Sequence, residues 1–386
     1  MGMLLFGISM ITLGSVVPDI RIKLGIDEIS AGTLFSILPI GIMAGSLLFG
    51  PLADRNGYRI LLTASCLILF AGFEGVAFSR SVGTLRFFVL LIGIGGGAVN
   101  GATNALVSDI SDVDKGANLN LLGVFFGIGA LGMPLITGLL RNFVPYETII
   151  SAIGLLSLVT GLFFLTIKFP PPKQEKKVPL SQNLIIIKDG TLLLISFFLF
   201  FQSSFEWIIN NWTALYIIDQ FHVHTDKALF ALSAYVSGVA SMRLLAGGIM
   251  RSFPEEKMLS GCFVLMLIGL TLLKTVYSYS IAVAGLFIIG AGLSYGFPVM
   301  LGFIGSRFAG ISGTAFSIAL VISLFGNMSI NYAMGFVAKY SGIRHLTTIA
   351  FAELIMMGIM SIAILRKLQK GGERSKPLYK KPSTGD

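Results

Sequence analysis

Charge is what this sequence has least of. Only 12% of its 386 residues are Asp, Glu, Lys or Arg, about half the roughly 25% usual in a soluble globular domain. That shortage excludes a chain that meets water over most of its surface. With 54% hydrophobic residues and a mean hydropathy of +0.85, its principal solvent is lipid. Cysteine is nearly absent: Cys66 and Cys262 each lie within an apolar run, which excludes a disulfide framework and leaves two small hydrophobes. Histidine is scarcer than in most enzymes. His222, His224 and His345 all fall outside the apolar runs, so no convergent catalytic constellation, cofactor site or metal centre is expected. The net charge of +9 calls for no nucleic acid; its distribution reports orientation instead. Met1 to Val17 has neither a basic n-region nor a small-residue cleavage site, so no cleavable signal peptide is expected. The first apolar run is short and begins at the initiator methionine, which suggests that a few residues are missing before it.

What is present is a series of long apolar runs. A span needs roughly 20 apolar residues to cross about 30 Å of hydrocarbon. Twelve are expected, near 3–18, 31–51, 60–79, 86–108, 117–139, 148–167, 191–218, 228–250, 258–277, 281–303, 312–336 and 346–366. The chain therefore divides into a bundle of six spans at 1–167, a linker at 168–189, a second bundle at 190–366 and a basic, disordered tail at 367–386. The linker carries three consecutive prolines and five lysines. With both termini cytoplasmic, the inside loops and tail hold eighteen of the 28 Lys and Arg residues. That is a positive-inside bias, and it places the chain in a cytoplasmic membrane as a multi-pass protein.

The two bundles are copies. Sliding the chain by 197 residues superposes nine glycine pairs, 41/238, 50/247, 72/269, 93/290, 95/292, 116/313, 129/326, 138/335 and 161/358, where glycine frequency alone predicts roughly two or three. A six-span unit starts and ends on one side of the membrane, so its copy keeps the same orientation. Parallel repeats with a site between them are the plan of a carrier.

Between spans 2 and 3 lies GPLADRNGYR. Gly50 allows close helix approach, Gly57 a tight turn, and Asp54, Arg55 and Arg59 charge-assisted contacts across the junction. This stretch resembles the G-x-L-x-D-R-x-G-x-R signature of the major facilitator superfamily, with Gly50, Leu52, Asp54, Arg55, Gly57 and Arg59 matching and Tyr58 departing from the usual basic residue. The resemblance implies an all-α fold of twelve transmembrane helices, an inner gate at this loop, and spans 1, 4, 7 and 10 lining a central cavity. The equivalent loop in the second half, GGIMRSFPEEK, has lost the pattern.

Those cavity spans sort the embedded polar residues. Glu74, Glu206, Arg243 and Glu353 lie within apolar runs, where a charge costs about 2.5–3.5 kcal/mol at mid-bilayer on insertion scales. Glu74 and Glu353 fall towards the outer ends of scaffold spans and are expected to snorkel or to hydrogen-bond locally; Arg243 is expected to tether to helix carbonyls or to a carboxylate. Glu206 differs. Gln202, Glu206 and Asn210 recur at i, i+4 and i+8 on span 7, one polar stripe, with Trp207 beside it and Asn211 and Trp212 beyond. Carboxylate and amides offer donors and acceptors for hydroxyls while indole offers a flat apolar face. Asn100 and Asn104 on span 4 are a second i, i+4 pair, and Tyr295, Asn327 and Asn331 are second-half cavity candidates.

The stretch NGATNALVSDISDVDKGANLNLLGVFFGIGALGMPLITG is similar to the fucose:proton symporter branch and to sugar porters of the sodium-dependent glucose type. That resemblance implies a monosaccharide as substrate and a proton or sodium ion as coupling partner, with Glu206 as the coupling group. The chain is expected to act as a monomer in the bilayer. One departure matters, since no carboxylate stands in the middle of span 1 or 4; Asp19 and Asp109 lie near their ends. The alternative is a proton-coupled exporter of drugs or metabolites. It is weakened because GIGALGMPLITG lacks the spacing of the antiporter signature G-x-x-x-G-P-x-x-G-G.

Overall fold

The computed structural model describes residues 1–110, 115–170, 188–247, 255–275, 278–308 and 312–370. Most of the expected linker, the basic tail from residue 371, and the side chains of Gly50, Asp54, Arg55 and Asp109 lie outside the described residues. Where lipid supplies no hydrogen bonds, the backbone must satisfy itself, and a helix does so within one segment. The apolar runs fold accordingly. The helices are α1 (Gly2–Leu24), α2 (Glu28–Phe78), α3 (Val82–Ile110), α4 (Lys115–Leu140), α5 (Tyr146–Thr166), α6 (Gly190–Phe221), α7 (Thr225–Gly247), α8 (Glu255–Thr275), α9 (Tyr279–Leu293), α10 (Gly296–Arg307), α11 (Ser312–Ser341) and α12 (Leu346–Lys370). Among the described residues, twelve stretches are long and apolar enough to cross a membrane, as the sequence predicts.

Two spans differ from their expected limits. The first run does not stop near residue 18 but continues to Leu24, closed by Gly25 in the left-handed region at φ 62°. The expected tenth span is split, with Ser294 and Tyr295 between α9 and α10. Conversely α2 holds two spans joined at Gly57, whose φ of 77° only glycine adopts without strain. Asp27 caps α2 through Ser30 N at 2.9 Å, and Asp189 caps α6 through Thr191 N at 2.7 Å and Leu192 N at 2.9 Å, each satisfying orphan amides of a first turn.

The sequence repeat reappears as a repeat of contacts. A Cβ built on Gly93 would lie 2.4 Å from the Leu38 carbonyl oxygen, and one on Gly290 would lie 2.1 Å from that of Tyr235, 197 residues further on. Gly72 meets Ile92 as Gly269 meets Ile289, and Gly95 meets Ser65 and Leu69 as Gly292 meets Cys262 and Met266. Nothing but hydrogen fits at these crossings, so each fixes a backbone-to-backbone approach.

The two halves touch through α2 on α11, α4 on α7 and α1 on α6. The close approaches cluster at the end bearing the α1–α2 turn. There a Cβ on Gly14 would meet the Asn210 carbonyl oxygen at 2.3 Å, and one on Gly32 would meet that of Asn331 at 2.8 Å and Gly335 Cα at 3.0 Å. Ser36 Oγ donates across the halves to Met328 O at 2.8 Å, and Phe35 packs edge-on against Trp212 with centroids 5.3 Å apart. In the portions of α4 and α10 nearer the other end, a Cβ on Gly123, Gly127 or Gly302 would meet nothing within 4 Å. The bundle is thus sealed at one end.

One ion pair crosses that seal, Lys339 Nζ to Asp27 Oδ2 at 2.7 Å. Both side chains are exposed, so solvent screens the pair and it adds little to the seal. Lys339→Gln should therefore leave maleimide labelling of a cysteine placed at Ser36 little changed. The hydrogen bond from Lys339 holds the Asp27 carboxyl well below the usual carboxylate range. The pair's contribution is then complete above the ordinary value of about 3.9 and lost only as pH falls through the depressed one. Labelling should stay unchanged between pH 7 and pH 5, and a rise over that interval would show that another group governs the seal.

Candidate functional site

α6 carries the expected stripe, and the structure gives its members different neighbours. Gln202 is 1% exposed and donates from Nε2 to Leu293 O at 3.1 Å, a carbonyl released where the helix breaks into α9 and α10. Its Oε1 lies 2.6 Å from where a Cβ on Gly296 would stand, so Gln202 is built into that junction. Tyr295, in the same break, is partly exposed. Asn211 Nδ2 and Trp212 Nε1 both donate to Asn331 Oδ1 at 3.1 Å. Asn331 in turn donates to Asn327 O and Oδ1 at 2.9 and 2.8 Å. These four join α6 to α11 beneath the seal. On α3, Asn104 Nδ2 donates to Asn100 O and Oδ1, both at 2.9 Å, the same pairing as Asn331 with Asn327. Both α3 amides remain partly exposed.

Glu206 stands apart. It is partly exposed, and it makes no hydrogen bond or ion pair among the described residues. The embedded acids on other helices are engaged. Glu74 accepts from Ser151 Oγ at 2.9 Å on both oxygens, Glu353 accepts from Ser204 Oγ on the far side of α6, and Asp19 pairs with Arg141. Of the two outcomes expected for Glu74 and Glu353, it is the hydrogen bond that forms, in each case to a residue of a neighbouring helix, and Glu353 is buried rather than snorkelled.

The charge nearest in influence to Glu206 is Arg243 on α7, which acts on it electrostatically. The tether expected for Arg243 is not formed: among the described residues it has no hydrogen bond or ion pair, and it is exposed. Tyr235 on the same helix feels both charges. It is 1% exposed, and its hydroxyl has no hydrogen-bond partner. Asn210, one turn along α6 from Glu206, is buried with Oδ1 equally unpartnered, and Trp207 lies between them at 9% exposure. An unpaired buried hydroxyl or amide costs about 1–3 kcal/mol, so these groups are open to a ligand or to water. Sequence reasoning overlooked Tyr235. The available signal was its spacing of eight residues from Arg243, which puts both near one side of α7.

At the gate motif, Arg59 donates to Leu165 O at the end of α5, tying the α2 junction to the sixth span. No group of three or more metal-ligating side chains occurs among the described residues.

The sequence matches the Major Facilitator Superfamily over residues 1–328. It is 26% identical over 230 residues to the multi-drug resistance efflux pump PmrA of Streptococcus pneumoniae, a match covering 58% of this chain and 57% of the pump. Among solved structures it is similar to a nucleoside transporter NupG (TM-score 0.77, 14% identity, 95% of this chain and 97% of that one). It is likewise similar to a D-xylose-proton symporter (TM-score 0.77, 16% identity, 94% of each chain). At such identities the structural likeness is one of fold.

Proposed function

The chain belongs to the major facilitator superfamily and is a membrane transporter of that type, and from that premise we propose that it carries a small polar solute, a monosaccharide first among them, by alternating access with proton or sodium symport. The observation that carries this reading is Glu206. It is a carboxylate without a protein partner among the described residues, partly exposed inside a span, near an amide oxygen and a phenol that are likewise unpartnered there and an indole. Acceptors and donors left open around a flat apolar face suit a polyhydroxylated ring. Glu206 is the coupling group in this scheme. Asn210, Asn100, Asn104 and Tyr295 serve as solute contacts with Trp207, while Gln202 and Asn211 hold the second-half helices that frame them. Asp54, Arg55 and Arg59, with Gly50 and Gly57, form the gate at the opposite end. The chain works as a monomer in the cytoplasmic membrane with both termini inside, so the sealed end faces outward.

A second reading is proton-coupled export of drugs or metabolites, favoured by the likeness to an efflux pump over 57% of that pump's length. A thermal-shift screen of the purified protein separates the two. Monosaccharides, nucleosides and lipophilic cations would each be tested at pH 5.5 and 7.5, with and without sodium. Stabilisation by monosaccharides that depends on pH or sodium is expected; stabilisation by lipophilic cations alone would replace the first reading with the second.

A further inference from the structure

Glu353 has no task in the scheme above, yet the structure encloses it. It is 3% exposed on α12, seven residues from the start of that helix, roughly 10 Å. Its partner Ser204 is fully buried, fourteen residues into α6 from Gly190. Glu353 in turn stands fourteen residues from Lys367, whose Nζ would lie 2.8 Å from a Cβ on Gly190. The two antiparallel helices thus agree on the depth of the contact. Glu353 Oε1 shares a hydrogen bond with Ser204 Oγ, while Oε2 is buried without a partner. No charged group acts on this carboxyl among the described residues. Lys274 of α8 is exposed and lies over the Phe351 ring, 5.4 Å from its centroid. Arg344 and His345 belong to the turn before α12, and Glu206, two residues from Ser204, is on the opposite face of α6.

An ionised carboxyl needs donors at both oxygens, and one buried without them or a counter-charge takes a proton instead. Ser204 has a single hydrogen and two oxygens within reach, Glu353 Oε1 and Phe201 O at 3.1 Å. The carbonyl can only accept. Drawn for an ionised carboxyl, the serine hydrogen goes to Glu353, and Oε2 is left a bare anionic oxygen. With a proton on Oε1, Glu353 donates to Ser204 Oγ, Ser204 donates to Phe201 O, and every hydrogen has an acceptor. We propose that Glu353 is a neutral carboxylic acid that donates to Ser204, and that this bond makes it a positioning residue for α6. The bond fixes the face of α6 opposite Glu206 and so keeps Glu206 turned away from α12. Both helices belong to the same bundle, so the proton stays between them through the transport cycle. Glu353 then adds nothing to the coupled proton, which is left to Glu206: Glu206 is partly exposed and open to exchange with water, whereas Glu353 is closed to it.

The test uses the full chain in detergent without solute, so it stands whatever the cargo is, and a failure of the symport reading leaves it untouched. Wild type at pH 7 should show the infrared carbonyl band of a protonated carboxyl that Glu353→Gln lacks. The band should shift only slowly in heavy water, since the site is closed to solvent. Ser204→Ala should move it to higher frequency, as the acid loses its acceptor. Both tryptophans of the chain, Trp207 and Trp212, lie on α6, so their fluorescence reports the seating of that helix. Acrylamide quenching should rise in Ser204→Ala and in Glu353→Leu and match wild type in Glu353→Gln, whose amide still donates to Ser204. A wild-type spectrum from which Glu353→Gln removes no such band would overturn the proposal. Quenching raised as much by Glu353→Gln as by Glu353→Leu would overturn it too, because the conservative variant would then fail to replace the bond. Should Glu353→Leu fail to fold, Ser204→Ala supplies the broken bond, and quenching in that variant equal to wild type overturns the positioning role.

Discussion

Glu206→Gln is expected to abolish gradient-driven accumulation of solute in proteoliposomes while leaving solute exchange intact. Glutamine keeps the size of the side chain and its ability to hydrogen-bond a solute, but it neither gains nor loses a proton. A carrier that exchanges loaded for loaded needs no proton release; one that concentrates solute does. With one proton per solute, a pH difference of one unit limits accumulation to about tenfold, equivalent to about 1.4 kcal/mol. The variant should therefore fall from that ratio to about one. The effect should be confined to this carboxyl. Glu74 is engaged by Ser151, Glu353 by Ser204 and Asp19 by Arg141, so each already has a structural partner, whereas Glu206 has none among the described residues. Undiminished accumulation by Glu206→Gln, under either a pH or a sodium gradient, would remove it from the coupling step.

Much of the fold is legible in the sequence because lipid leaves few choices. Long uncharged runs become helices, and five pairs of the 197-residue glycine repeat, 41/238, 72/269, 93/290, 95/292 and 129/326, are places where a Cβ would meet a neighbouring helix's backbone within about 3 Å, whereas one on Gly358 would meet nothing. Gly93 and Gly290 illustrate why: the spacing is preserved because a Cβ at either would stand within 2.4 Å of a carbonyl oxygen. The site was less legible, for a geometric reason. Residues at i and i+8 on a helix are about 80° apart, since eight steps of 100° overshoot two turns. Gln202 thus reaches the α9–α10 break while Asn210 lies under α1 with its Oδ1 unpartnered, and Glu206 between them is unpaired among the described residues. Arg243 was visible as an embedded charge, but its freedom was not. Pairing depends on which helices pack against α7, and no local pattern encodes that. Tyr235 gave no signal beyond its type and its spacing of eight residues from Arg243, because an orphaned hydroxyl is a property of the neighbours.

The seal between the halves should be the most sensitive element to small additions of volume. Gly14→Ala is expected to shift the carrier toward the conformation open at the α1–α2 end by roughly 5- to 150-fold, corresponding to about 1–3 kcal/mol of overpacking. The added methyl group would stand 2.3 Å from the Asn210 carbonyl oxygen. That oxygen belongs to helix backbone, so it has no rotamer by which to retreat, and relief comes only from separation of α1 and α6. Gly32→Ala should act in the same sense through Asn331 O and Gly335 Cα, and with a smaller effect, because its distances of 2.8 and 3.0 Å leave less overlap to remove. Gly123→Ala is the control, since nothing lies within 4 Å of its Cβ and alanine favours the helix by about 1 kcal/mol over glycine. Maleimide labelling of a cysteine at Ser36 reads the opening directly. Cys66 and Cys262, exposed by only 0% and 3%, add little background. Faster labelling in Gly14→Ala and Gly32→Ala, with Gly123→Ala like the parent and all three similar in melting temperature, locates the effect in the contact between halves. Equal labelling in all three would mean that α1 and α6 accommodate the methyl group without parting, and the seal would have to be sought in Phe35 and Trp212 instead.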